Sequence, residues 1–559
     1  MSLRALTLLL IPCLAPAQHQ HAPPPDDSRI DLVKLPHPKH MDGIGDAHIP
    51  ITTKSPEAQQ WFDQGLRLLH CFWDYEALKA FEQSVRLDPD CAMCHWGVAG
   101  AINFRGGSDT QSKEELDKAK QLGEKTTDRE QRYIAAEIAT RDKKGDEAAQ
   151  SYTKEMEALI NRYPDDLQAK VLLALHANHG YESGGDPRSG TLYSQALLSS
   201  LLTSYPEDAA VNHYWIHAVE DSAHPEWAPE SASKLGRLAP PSGHMVHMPG
   251  HIYYRTGDYE HAREIFLAAK RVDEDYMAAQ HVTPRDDWNY AHNLSYLTAD
   301  CAEAGRYAEA VEHARPLRGL YDDPGNSGNA TFYVLQIAST EPRLAIRYGK
   351  WQDAIDHPMN FGVDDAHLSV WARGYRDGLV AYARGMLAIE QDRPDDAAQS
   401  SLVLDAELWR LSKEDIPDKD DFARTRTLKL LGVASAELRG SLLAKKGDYE
   451  GAEKMLRKAA DDEKDLGYSE PPQMRVRCWK YSPMLRCARV SSTTRLRLTG
   501  KDLILRPKSG FALYGIAVAY DRAGKHDEEK KAFEEFLAAW ANADRDLPQV
   551  RAADSRVQQ

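Results

Sequence analysis

Beyond its first twenty residues the 559-residue chain has no apolar run long enough to cross a bilayer. It has no surplus of basic charge either: 69 Lys and Arg against 85 Asp and Glu leave a formal charge of −16. Nucleic acid and anionic membranes repel a surface of that sign, which excludes both as main partners. There is no Gly-rich phosphate loop, no nucleophile elbow and no His-Glu-x-x-His zinc-protease motif, so the enzyme classes those motifs mark are without support. What the chain does have is an ordinary soluble composition, 42% hydrophobic and 8% aromatic, too rich in packing residues for a disordered polymer. It also has 22 histidines, unevenly placed.

The opening MSLRALTLLLIPCLAPAQHQ combines Arg4, an apolar run from Leu6 to Leu14 and a small-residue Ala15-Pro16-Ala17 site, the three parts of a secretory signal. Pro12 suits a lipoprotein site at Cys13 badly, so cleavage is expected after Ala17. The mature chain is then exported, periplasmic or extracellular, in a compartment that permits disulfides. Residues 18–55, rich in Pro, Asp and His, are expected to form a short disordered, extended arm.

A chain of this length needs several cores or a repeat. In EAQQWFDQGLRLLHCFWDYEALKAFEQSVRLDP, Trp61, Gly65, Ala77, Phe81 and Pro89 fall at positions 4, 8, 20, 24 and 32 of the tetratricopeptide (TPR) pattern. Small residues at positions 8 and 20 let two helices approach, and the large residue at 24 fills the space between repeats. Gly250, Tyr253, Gly257, Tyr259, Ala262, Phe266 and Ala269 repeat the pattern, with further copies at Gly305, Gly349, Gly447 and Gly524. The expected fold is all-α, a TPR-type solenoid of helical hairpins. Its segments read as a signal peptide (1–17), the arm (18–55), N-terminal repeats (56–162), central repeats with a His-rich groove (163–325), C-terminal repeats (326–473), a final repeat (504–544) and a tail (545–559). Residues 474–503 break the pattern: they are strongly basic in an acidic protein and have no helical period. They read as the product of compensating frameshifts, with a genuine basic loop as the alternative, and Cys478 and Cys487 within them carry no functional reading.

The same ruler shows where side chains point. Positions 2, 5, 9, 12 and 13 of each first helix share the face that lines the concave groove. Counted from Gly243, His244, His247 and His251 stand at 2, 5 and 9; counted from Ala209, His213, His217, Glu220 and Asp221 stand at 5, 9, 12 and 13. His292 takes position 2 of the next repeat, followed by Asn293. Packed helices lie roughly 8–10 Å apart, so imidazoles from neighbouring helices can meet at one ion, and zinc, copper and iron all accept imidazole nitrogen. The expected ligands are His213, His217, His247 and His251, with Glu220 and His244 completing or orienting the set. Asp221, Tyr253, Tyr254, Arg255, His292 and Asn293 are expected to shape a ligand wall. Pro249 suits a first helical turn, so a helix starting near Met248 is expected, with His244 and His247 on the loop before it.

HYWIHAVEDSAHPE, GHMVHMPGHIYYRTGDY, WNYAHNLSYL and AQQWFDQGLRLLHCFWDYEALKAFEQ with DPDCAMCHWG resemble a group of bacterial exported TPR proteins, from about Gly43 to Asp544 outside the irregular segment. The resemblance implies repeat-built binding proteins and carries no reaction with it. The Gly-and-Asn turn associated with that group after Trp96-Gly97 is replaced here by NFRGG.

Cys91-x-x-Cys94-His95 is the string that attaches a c-type haem in exported proteins. A redox-active thiol pair at a helix start and plain buried residues are the other readings. Taken together, the residues point to a groove that binds a protein, a peptide or a small anionic ligand, with a transition-metal site inside it. A metal-dependent hydrolase or oxidoreductase using the same histidines, and a metal-free assembly scaffold, are the rival readings.

Overall fold

The computed structural model describes residues 29–105, 108–285, 287–322, 329–414, 421–467 and 506–558, with Ser469 and Leu503. The irregular segment 474–503 therefore lies outside the described residues save for Leu503, as does the signal-like start. Among the described residues there is no strand, only an isolated bridge between Tyr181 and Pro187. The chain divides into two compact units, the first covering 27–181 and 187–218 and the second covering 182–186 and everything from Val219 onward.

In the first unit, α1 (Pro56–His70) pairs with α2 (Asp74–Leu87), α3 (Ala92–Phe104) with α4 (Asp109–Gly123), α5 (Asp128–Ile138) with α6 (Gly145–Arg162), and α7 (Leu167–Ala177) with α8 (Thr191–Ser204). The starts are written in local chemistry. Ser55 accepts a hydrogen bond from Ala58 N while Pro56 supplies a preset first turn. Thr127 and Glu130 form a reciprocal capping box at α5. The Phe81 ring fills the gap between α1 and α3: a Cβ on Gly65 or Gly97 would fall 2.7 or 2.3 Å from it. Residues 29–55 correct the expectation of a disordered arm, because Ile44 and Ile49 are buried in the same core as Trp61 and Phe62. Met41 N donates to Gln64, and His40 stacks on Trp61 at 4.0 Å. The arm is extended, and it is anchored by its apolar residues.

The helix α9 (Ala209–Glu220) contains the boundary between the units. The second unit continues with α10 (Pro229–Leu238), α11 (Gly243–Thr256), α12 (Tyr259–Gln280), α13 (Trp288–Glu303), α14 (Tyr307–Ala314), α15 (Asn329–Ala338), α16 (Thr340–Tyr348) and α17 (Trp351–Asp356). Then come α18 (Val370–Glu390), α19 (Pro394–Lys413), α20 (Asp421–Lys445), α21 (Tyr449–Lys464), α22 (Gly510–Arg522), α23 (His526–Ala539) and α24 (Pro548–Val557).

The α11–α12 hairpin uses the device seen in α1–α3: a Cβ on Gly250 would lie 2.3 Å from the Phe266 ring. Contrary to the expectation drawn from Pro249, α11 begins at Gly243 and carries the proline inside it. Ser242 caps the start by accepting from Met245 N, and Gly257 ends the helix at φ +78°. The last hairpin does not simply extend a row of repeats. Phe511 and Trp540 share a core with Tyr254, Phe266 and Tyr296. Trp540 Nε1 donates to Glu303 O at 2.7 Å, and Asp544 N to Gly305 O at 3.0 Å.

Candidate metal centre

The helices α11 and α13 carry the centre. Because α11 is helical from Gly243, His247 and His251 stand one turn apart on one face, and their Nε2 atoms lie 2.7 Å from each other. His292 on α13 faces them, its ring centroid 5.0 Å from that of His247 and 6.0 Å from that of His251. One ring nitrogen from each of the three lies within 4.8 Å of the other two. His247 and His251 have no exposure and His292 only 3%.

Two of the rings, His247 and His251, are held from behind. His247 Nδ1 meets Asn293 Oδ1 at 2.7 Å, and Asn293 Nδ2 donates to Phe266 O at 3.0 Å. His251 Nδ1 contacts the fully buried Glu220 carboxylate. Tyr296 stacks on His251 with centroids 4.1 Å apart. Arg255 pins the end of α9 by donating to Glu220 O and Ser222 O, which sets the height of that carboxylate. Burial pushes the His251 pKa well below the usual imidazole value. A neutral ring keeps its nitrogen lone pair for an ion.

Glu220 lies against Nδ1 of His251 and so orients a ligand, one of the two roles expected of it. His244 meets Asn289 through Nδ1 at 3.2 Å, one turn before the trio. Tyr254 is no part of a ligand wall: it is a core residue packed on Tyr259 and Tyr296. Tyr253 lies over His261 of α12, and Arg255 is spent on carbonyls. Asp221 sits half-buried just past α9. Asn293, expected on the ligand wall, is buried behind His247 instead. His292, also placed on that wall, joins the trio.

His213 and His217 belong to the first unit. Their Nε2 atoms are 3.0 Å apart, and His213 Nδ1 donates to His70 O at 2.7 Å. Phe72 covers the pair, with centroids 4.6 Å from His213 and 5.4 Å from His217, at a backbone φ of 53°. A left-handed, fully buried phenylalanine is a strained placement that the sequence does not announce.

Of the readings open for the cysteine motif, the geometry matches a bonded pair. Cys91 and Cys94 are bonded to each other and fully buried, so neither sulfur is free to carry a haem. His95 is clasped by Glu115 at 2.6 Å and Pro89 O at 3.1 Å. Cys301, buried on α13, has Glu309 and His313 close by. Arg263 already holds Glu309 Oε1 there, which sets a guanidinium charge against any cation.

Residues 245–276 match the tetratricopeptide repeat family model, the stretch that carries His247, His251 and Phe266. Among curated proteins no sequence matches the chain. Solved structures similar to it include yeast Tom70, at 14% identity over 90% of this chain and 95% of that one with a TM-score of 0.29. Human IFIT1 bound to m7Gppp-AAAA is similar at 11% identity over 80% and 90%, with a TM-score of 0.35. The P58(IPK) TPR domain is similar at 13% identity over 90% and 97%, with a TM-score of 0.20. Scores this low carry no argument about shape or ligand. What stands is an all-α protein of helical hairpins with a tetratricopeptide repeat at residues 245–276, and that repeat supplies two of the three converging histidines.

Proposed function

We propose that this is an exported TPR-type binding protein whose second unit holds a transition-metal ion between His247, His251 and His292. The observation that carries the reading is the convergence of three buried ring nitrogens, each within 4.8 Å of the others. Bound zinc sits about 2.0–2.1 Å from each imidazole nitrogen, a geometry reached from that spacing by small side-chain rotations. Glu220 and Asn293 behind the rings are the outer partners such sites use to orient their ligands. A binding or structural ion fits better than a catalytic one, since rings no more than 3% exposed offer substrate no open approach. Protein partners are the ligand class expected of helical-hairpin repeats, with the metal holding α11 against α13.

Elemental analysis of the purified chain tests the reading directly. One equivalent of zinc, copper or iron is expected, lost in His251→Ala. Added zinc at a hundredfold excess over Kd should stabilise the native chain by about 2.7 kcal/mol. A metal-free protein whose melting temperature ignores added zinc, copper and iron(II) would end the proposal.

A further inference from the structure

In a step that rests on the metal reading above, we infer that α13 and Glu220 dictate which nitrogens hold the ion. Asn293 and Glu220 lock His247 and His251 in the Nδ1–H form and leave both to ligate through Nε2.

The lock follows from which atoms can donate. Asn293 Nδ2 donates to Phe266 O at 3.0 Å, so the amide presents Oδ1, not Nδ2, to His247 Nδ1 at 2.7 Å. An amide oxygen only accepts, hence His247 carries its hydrogen on Nδ1 and its lone pair on Nε2. The Glu220 carboxylate is likewise an acceptor, and it faces Nδ1 of His251. The two Nε2 atoms then meet at 2.7 Å as two acceptors. Neutral rings in that arrangement repel, and a cation accepted by both lone pairs is what the arrangement suits.

The device is repeated one turn away. Asn289 Nδ2 donates to both oxygens of Asp273, at 3.0 and 3.2 Å, which turns its Oδ1 toward His244 Nδ1. Asn289 and Asn293 stand four residues apart on α13, and His244 and His247 three apart on α11, so one helix face sets the hydrogens of the other. Gly243 belongs to the same construction, since a Cβ there would lie 1.6 Å from Asp273 Oδ1. The positioning residues of the centre are therefore Asn293 and Glu220, with Asn289 and Asp273 setting His244.

The test uses the full metal-free chain with ring-15N histidine and long-range proton–nitrogen correlation spectra, His247 and His251 being assigned through their alanine variants. Nδ1–H rings are expected for both. An Nε2–H ring at either position overturns the lock. In parallel, cobalt(II) is titrated into native, Asn293→Leu and Asn293→Asp chains. Loss of the acceptor in Asn293→Leu should weaken binding about 10- to 100-fold and change the cobalt absorption spectrum. Asn293→Asp, which keeps an acceptor oxygen, should stay within a few-fold of native. Asn293→Leu and native chains with equal affinity and identical spectra would also overturn it. A native chain that takes up no cobalt(II) overturns the functional reading instead, while the nitrogen spectra by themselves uphold or overturn the lock.

Discussion

His70 shows what burial does to a single titratable group in this protein. Its Nδ1 lies 2.9 Å from Tyr214 Oη and its Nε2 2.8 Å from Gln168 Oε1, inside a site where the ring is 2% exposed. Burial pushes its pKa from the ordinary 6.5 down to about 4. The unfolded chain therefore takes up the proton before the folded one does. The neutral ring's contribution is complete above pH 6.5 and is lost as pH falls toward 4, at most about 3 kcal/mol. In His70→Gln, which cannot titrate, the loss of stability between pH 7 and pH 4 should be smaller by up to that amount. Urea unfolding at the two pH values measures it, and equal losses in both chains would clear His70 of the role.

At the scale of elements, the hairpins are held by glycines whose missing Cβ makes room for a ring. Gly250→Ala would drive a methyl to within 2.3 Å of Phe266, whose backbone carbonyl also anchors Asn293. The expected cost is about 1–3 kcal/mol of stability from overpacking, together with weaker metal uptake because Asn293 shifts with Phe266. Gly100→Ala in α3 is the control: nothing lies within 4 Å of its Cβ position. There alanine should gain about 0.4–1 kcal/mol. Thermal melts of the two variants should move in opposite directions. The Gly–Phe spacing was legible in the chain, since positions 8 and 24 of the repeat name both partners. The start of α11 was not. Pro249 argues locally for a later beginning, whereas Ser242 as cap and the packing of Gly243 against Asp273 extend the helix six residues before the proline.

At the scale of the second unit, the last hairpin returns to α13. Gly305, at φ +78°, leaves a gap in which a Cβ would stand 2.6 Å from Trp540. Trp540 itself is 1% exposed. Glu303 adds a buried ionic tie, contacting Arg347 and accepting from Arg506 Nη1 at 2.7 Å and Ser509 Oγ at 2.7 Å. Trp540→Ala should cost about 3–5 kcal/mol, the range for deleting a large buried side chain. The same change should make the α22–α24 segment protease-sensitive before the rest of the unit. Limited proteolysis at a temperature where the native chain resists would show it, and a variant as resistant as native would mean that the hairpin is held elsewhere.

What the sequence by itself determined is periodic and local: the helical class, the hairpin unit, the glycine and phenylalanine that let hairpins close, and the repeat positions at which histidines stand. These depend on spacings within about 34 residues, which the chain states outright. The tertiary structure decided which histidines meet. His247 and His251 join His292 because α13 packs across α11, with Asn293, and Glu220 at the end of α9, behind the rings. It also decided that Cys91 bonds to Cys94, that Ile44 and Ile49 of the arm lie in a core, and that Trp540 returns to Gly305 across more than two hundred residues. Each of those depends on where separate elements dock, and no local period encodes docking.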